Sequence, residues 1–177
     1  MLGYIRGRES KPASTRWILL KTVLQMVVFW GVFLFLLPWA VVSAEPAAWR
    51  SGGLPWVGAA VFAFGAVLGP ASAAVMAVRG RGTPLPSDCA RELVVAGPYR
   101  FVRNPMAVAG LAQGVAVGLF LGSPAVVGYA ALGGPVWNLF VRPWEEADLE
   151  RRFGDSYRRY KSAVRCWVPR FPGYRAD

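Results

Sequence analysis

Apolar residues along this chain come in long runs instead of alternating with polar ones. Four such runs stand out, at 17–42, 55–78, 106–121 and 125–141. Trp17 and Trp39 stand near the two ends of the first run, and at about 1.5 Å per residue they lie roughly 33 Å apart, close to one hydrocarbon thickness. Lys21, one turn inside this run, is expected to extend back to the lipid headgroups. The pattern predicts an all-α integral membrane protein with about four transmembrane helices.

Small residues recur at four-residue spacing in two of these runs. The second run carries Gly65, Gly69, Ala73 and Ala77, and the third carries glycines at 110, 114, 118 and 122. Such a face favours close helix packing, and it also permits helix-mediated homodimers. A groove for the alkyl chain of a substrate is the alternative use of the glycines. Gln113 is the one strongly polar side chain of the third run, and we expect it to face a partner helix or a cavity.

The polar connections predict the orientation in the membrane. The N-terminal segment 1–16, the loop 79–104 and the tail 143–177 are net positive, whereas the connections 43–54 and 121–124 are neutral. The positive-inside rule therefore places both termini, the central loop and the tail in the cytoplasm. In the tail, apolar residues recur at helical spacing, which predicts an amphipathic pair of helices divided at Gly154. We interpret the chain as a single membrane domain.

Composition excludes several function classes. The net charge of +10 is carried by segments that flank apolar runs, and no nucleic-acid-binding motif accompanies it, so nucleic acid is not the expected partner. The chain has no histidine, which excludes imidazole metal sites and histidine-based catalytic triads. Two cysteines, Cys89 and Cys166, are too few for a zinc site, so no metal site is predicted.

Two polar blocks flank the last two apolar runs. The first block contains Leu93, Val94, Gly97, Tyr99, Arg103 and Pro105, and the second contains Arg142, Glu145, Glu146, Phe153, Gly154, Tyr157 and Tyr160. In this order they resemble the superfamily of isoprenylcysteine carboxyl methyltransferases and phospholipid methyltransferases, which are integral membrane enzymes. The resemblance covers about half of the chain.

The resemblance implies a methyltransferase that uses S-adenosylmethionine in a pocket facing the cytoplasm. Its acceptor is a lipophilic small molecule or a lipid-linked group that enters from the bilayer, so membrane lipids are the expected surroundings, in the inner membrane of a bacterium. Arg142 is expected to orient the substrate. The implied cofactor-binding residues are Leu93, Val94, Tyr99, Arg103, Asn104, Pro105, Glu145 and Tyr157.

Elementary chemistry agrees with this assignment. Methyl transfer from a sulfonium needs alignment and exclusion of water more than acid–base groups, which suits a chain without histidine. Glu145 can accept hydrogen bonds from the ribose or the ammonium group of the cofactor, and Arg142 can clamp an anionic acceptor. Because they stand three residues apart, these two side chains are also expected to lie close together. The face of a tyrosine ring, as of Tyr99, Tyr157 or Tyr160, attracts a cation.

Two departures from the family pattern keep other functions open. Asn104 stands where the superfamily has histidine and Ala107 where it has tyrosine. A non-catalytic scaffold on the same fold is therefore one alternative. A small four-helix transporter is the other, although none of the four runs contains the acidic residue that ion coupling usually needs. The residues leave the acceptor open between a carboxylate, an amine and a thiol.

Overall fold

The computed structural model describes residues 7, 9–85 and 88–175. Part of the basic N-terminal segment predicted to lie in the cytoplasm falls outside this range. The described residues form helices and no β-strand, as the apolar pattern predicts. The all-α membrane class is therefore confirmed.

Four apolar helices and one polar helix follow each other along the chain. They are α1 (Thr15–Ala44), α2 (Pro55–Gly80), α3 (Pro105–Leu121), α4 (Pro124–Val136, continued through a wider helical turn at Trp137–Val141) and α5 (Arg142–Ala163). The helices α1, α2 and the continuous pair α4–α5 are long and apolar enough to cross a membrane, and α3 is a shorter apolar helix. The predicted runs agree with these bounds to within about one turn.

Side-chain caps and prolines explain where the helices begin. The Ser14 hydroxyl accepts a hydrogen bond from the Trp17 amide (3.3 Å) at the start of α1. Asn104 does the same for the Ala107 amide (3.0 Å) before α3. The helices α2, α3 and α4 all have proline in their first turn, where the missing N–H is not needed.

The small-residue faces pack against one another inside this chain. A Cβ atom on Gly65 would lie 2.9 Å from the Ala109 carbonyl oxygen, so α2 and α3 approach almost backbone to backbone. One on Gly118 would lie 2.6 Å from the backbone nitrogen of Val127 in α4. Gly110, by contrast, faces open space. Close packing within the chain is thus one use of these faces.

Two polar residues of the membrane region have specific surroundings. Gln113 is buried against Gly65 of α2, which confirms that it faces a partner helix. The expected extension of Lys21 to the lipid headgroups stays a prediction, and the structure shows where its side chain is held. Its ammonium group pairs with the Asp88 carboxylate, because the loop after α2 folds back over the start of α1 and offers a nearer anion.

The polar helix α5 contains a break at Gly154, as predicted. This glycine has φ 52° and ψ −128°, a conformation that side-chain-bearing residues rarely adopt. Beyond the break, Tyr157, Tyr160 and Val164 form a buried cluster that packs against Leu93 and other apolar residues of the loop before α3. The break therefore turns the second half of α5 onto that loop.

Candidate functional site

The two polar blocks meet where the loop before α3 lies against α5. The Tyr160 hydroxyl donates to the Tyr99 carbonyl oxygen at 2.6 Å. The Arg103 guanidinium donates to the Glu146 carboxylate at 2.6 Å and to the Tyr157 hydroxyl at 3.2 Å. Five residues from the two blocks, more than forty positions apart in the chain, are thus joined by direct hydrogen bonds.

Glu146 is the centre of an ion-pair cluster. Besides Arg103, its carboxylate is paired with the Arg142 Nε atom at 2.7 Å and with the Lys161 ammonium at 2.9 Å. Burial opposes ionisation of Glu146, but the hydrogen bonds from Arg142, Lys161 and Arg103 outweigh it and lower the pKa to about 2. Glu146 therefore stays ionised, and its charge is satisfied by protein groups.

Arg142 is held by two acceptors on its own helical face. Besides the bond to Glu146, its Nη1 atom donates to the Asn138 amide oxygen at 2.7 Å. The same oxygen accepts from the Trp167 indole N–H at 2.9 Å. The expected proximity of Arg142 and Glu145 is therefore not realised as a bond, because the helix continues through Pro143 and brings the residue four positions on, Glu146, to Arg142.

Glu145 has a different environment from its neighbour. Within the described residues its carboxyl group forms no hydrogen bond or ion pair. Burial, and secondarily the negative charge of Glu146, raise its pKa to about 7. The buried Tyr99 hydroxyl has no hydrogen-bond partner in the described part of the chain, and its pKa is raised by burial and then by the negative charge of Glu145. One side of the site thus keeps an uncompensated carboxyl group and an unpartnered hydroxyl.

The remaining predicted cofactor residues stand at the start of α3 and in the loop before it. Val94 and Pro105 are buried, and Leu93 packs against the tyrosine cluster of α5. Asn104 uses its amide oxygen to cap α3, which leaves its NH2 group as a donor. None of these four residues lines the cavities found in the described part of the chain, so their role in cofactor binding stays a prediction.

An open cavity lies beside the ion-pair cluster. It has a volume of about 430 Å³, within the usual range of ligand sites, and is lined by Asn138, Arg142, Pro143, Glu146, Ala147, Glu150 and Lys161. The adjacent side chains Leu139 and Phe140 are exposed on the apolar helix α4. The cavity therefore offers donors and acceptors at the end of an apolar helix that carries exposed apolar side chains.

Sequence reasoning missed the roles of four residues here: Asn138, Glu146, Lys161 and Trp167. Three of the site residues, Asn138, Arg142 and Glu146, follow each other at four-residue spacing. That periodicity identifies a common helical face and was available in the sequence. The contact with Trp167 depends on how the last segment folds back, and no local pattern indicates it.

The fold and the site define an integral membrane protein whose polar site lies at one end of its apolar helices. The site is built from the loop before α3 and the polar helix after α4. The sequence pattern of the family described as phospholipid methyltransferase matches residues 54–156, more than half of the chain, and the chain belongs to this family. The family is part of the superfamily that the two polar blocks resemble. No curated protein matches the sequence.

The family match supports a membrane methyltransferase. It contains both Glu145 and Glu146 but ends before Tyr157, so the tyrosine cluster and Lys161 lie beyond it. The structure joins this unmatched part to the matched loop through the bonds of Arg103 and Tyr160.

Proposed function

We propose that this protein is an S-adenosylmethionine-dependent methyltransferase. Its acceptor is a lipophilic or amphiphilic molecule that enters from the bilayer, and its site faces the cytoplasm of a bacterial cell. The proposal rests on two groups inside the segment that matches a methyltransferase family: the Glu145 carboxyl group, which has no ion pair among the described residues, and the Tyr99 hydroxyl, which has no hydrogen-bond partner among them.

The residues on this side of the site suit a cationic ligand. A buried carboxyl group without a positive partner is stabilised as a carboxylate by any cation that binds next to it. S-adenosylmethionine is cationic at its sulfonium and ammonium groups, and when bound it supplies an electrophilic methyl group. Glu145 would accept from the ammonium group, and the Tyr99 hydroxyl is free to bond a polar atom of the ligand.

The other side of the site suits the acceptor. Arg142 uses Nε and one Nη1 hydrogen for protein acceptors, so its other N–H groups remain for a ligand in the cavity of about 430 Å³. Asn138 and Glu146 fix the guanidinium, which reduces the entropy lost when it binds a polar group. Exposed Leu139 and Phe140 beside the cavity favour entry of an apolar chain from the membrane.

Catalysis on this proposal comes from alignment. The ion pairs of Glu146 join α5 to the loop before α3. The proposed cofactor position at Glu145 and the proposed acceptor position at Arg142 therefore keep a fixed separation. Holding donor and acceptor in line contributes up to about 7–11 kcal/mol to lowering a barrier. No general base is needed if the acceptor is a carboxylate, because an ionised carboxylate loses no proton when it is methylated.

Binding of the cofactor to the purified, folded protein tests the proposal. We expect S-adenosylmethionine to raise the unfolding temperature and to give a measurable heat in calorimetry. The exposed carboxylate Glu92 provides a matched control, since Glu92→Gln should bind equally well. A folded protein that is not stabilised at millimolar cofactor would overturn the proposal in favour of a scaffold or a transporter.

Acceptor binding needs a second measurement. Arg142→Lys keeps the positive charge but cannot maintain both hydrogen bonds of the planar guanidinium. With membrane extract as the source of acceptor and labelled cofactor, we expect a raised KM for the acceptor and an unchanged Kd for the cofactor. A loss confined to cofactor binding would contradict the role of Arg142.

A further inference from the structure

A second open cavity lies at the C-terminal end of the chain. It has a volume of about 650 Å³ and is lined by Arg100, Arg170 and Arg175, together with Ala163 and residues 172–174. It shares no lining residue with the cavity beside Glu146. The described part of its wall contains three arginines and no acidic residue, so its electrostatic potential is positive.

Backbone hydrogen bonds hold this cavity in shape. The Arg170 amide donates to the Phe101 carbonyl oxygen at 2.8 Å, and the Tyr174 amide donates to the Arg100 carbonyl oxygen at 2.8 Å. The last segment also packs tightly on the loop at Gly173, where an added Cβ would lie 3.0 Å from the Phe101 ring. The last segment is therefore fixed along the loop before α3, and two of the arginines project from paired backbone positions.

The charge of these arginines is not neutralised within the described residues. The Arg100 Nε atom donates to the Tyr174 carbonyl oxygen at 2.9 Å, and Arg170 donates to the Ala163 carbonyl oxygen at 3.2 Å. Carbonyl groups orient a guanidinium but leave its charge in place. Arg151 and Arg158, on α5, differ in this respect because each pairs with an aspartate. Clustered guanidinium groups without carboxylates bind phosphate well.

The segment that carries the cavity returns to the end of a membrane helix. The Trp167 ring packs edge-on against Trp137 with ring centres 5.1 Å apart, at the end of α4. Further along, Val168 is 53% exposed and Phe171 is 78% exposed. Exposed apolar side chains next to arginines are typical of a segment at the membrane–water boundary, where the phosphate groups of lipids lie.

We propose that the cavity between Arg100, Arg170 and Arg175 binds the phosphate group of an anionic membrane lipid. Phe171 and Val168 contact the acyl chains near the headgroup, which favours a lipid over free phosphate. The bound lipid holds the last segment, and through Tyr160 and Tyr174, whose ring centres are 5.5 Å apart, the tyrosine cluster of α5. The site is distinct from the proposed acceptor cavity, so its occupancy does not require methyl transfer.

Lipid binding to the full-length protein in detergent tests this site. The variant R100Q/R170Q/R175Q removes the three cavity charges, and R151Q/R158Q/R159Q removes the same number from α5 outside the cavity. We expect phosphatidylglycerol to raise the unfolding temperature of the wild type and of the second variant, and the first variant to bind it at least tenfold more weakly. Phosphatidylcholine should have little effect on any of them.

Three results would overturn the proposal. Equal weakening in both triple variants would mean diffuse attraction of a basic protein to an anionic surface. Equal stabilisation by phosphatidylcholine would exclude recognition of net charge, and equal stabilisation by inorganic phosphate would assign the cavity to a soluble ligand. Arg175→Gln keeps the test valid if the triple variant does not fold, because Arg175 forms no hydrogen bond or ion pair within the described residues.

Discussion

Replacing Glu145 with glutamine should have opposite effects on folding and on cofactor binding. In the folded protein the pKa of Glu145 is about 7, against an ordinary value of 4.5. At about 1.4 kcal/mol for each pH unit, this difference corresponds to about 3 kcal/mol. The folded protein holds the proton more tightly than the unfolded chain does, so this free energy of unfolding is lost as pH rises from 4.5 to about 7.

At pH 8 the wild type therefore carries the full cost of a buried carboxylate that has no ion pair among the described residues. Glu145→Gln removes the charge and nearly preserves the shape, so the ligand-free variant should be more stable than the wild type at pH 8 by up to about 3 kcal/mol. At pH 5 the two should be close. Cofactor binding should favour the wild type and narrow this difference, since losing a hydrogen bond to a charged group costs about 1.5–3 kcal/mol, or roughly tenfold to a hundredfold in affinity.

Unfolding in detergent at pH 5 and pH 8, with and without S-adenosylmethionine, measures all of these quantities. The wild type should bind the cofactor more weakly as pH falls below about 7, whereas the variant should bind weakly at every pH. Glu92→Gln, an exposed change in the loop before α3, should match the wild type throughout. If ligand-free Glu145→Gln is less stable than the wild type at pH 8, the carboxyl group is paired after all and the reasoning fails.

Three further predictions concern the fold around the site. Glu146→Gln should lower the free energy of unfolding by about 3 kcal/mol, because it leaves the buried Arg103 guanidinium without its anion; a stability equal to the wild type in a denaturant titration would contradict the cluster. Gly118→Ala should cost about 1–3 kcal/mol through overpacking, while Gly110→Ala, which faces open space, should be neutral or slightly stabilising, and equal thermal shifts for the two would refute the packing. Asn104→Leu should cost about 1 kcal/mol as a lost helix cap, and Asn104→Asp should retain the cap, so equal unfolding temperatures for these two variants would show that the cap does not matter.

The membrane helices were predictable because the bilayer imposes a length and a composition on each of them. The apolar runs agree with the helix bounds, and prolines at the first turns of α2, α3 and α4 mark three of the starts. The small-residue spacing correctly indicated close helix packing. The pairing of Lys21 was not predictable, because it depends on where the irregular loop containing Asp88 folds.

The site was predictable only in part. The resemblance identified the two blocks that meet, and the structure joins them through Arg103 and Tyr160. It did not distinguish the roles of Glu145 and Glu146, because residues three and four positions after Arg142 both lie near it on a helix. Arg103, from the loop before α3, pairs with Glu146 and not with Glu145, so Glu146 belongs to the ion-pair cluster. Contacts of this kind have no local signal.

The adjacent pair Glu145–Glu146 gives the proposed site its two-sided character. Successive residues on a helix point about 100° apart, so the two carboxyl groups face different surroundings although their backbones are linked. Glu146 collects the nearby positive charges of Arg103, Arg142 and Lys161. Among the described residues that leaves Glu145 without a cation on the side of Tyr99, where a positive ligand would lower the cost of ionising it. On the Glu146 side, Arg142 and Lys161 line the cavity together with Glu146 and Glu150, so this side offers both hydrogen-bond donors and acceptors to a ligand. On the proposed function, a positively charged methyl donor would bind on the Glu145 face, and the acceptor would bind on the neighbouring face of the same helix. The proposed alignment therefore needs no histidine, because the two faces of α5 would hold the two partners of methyl transfer side by side.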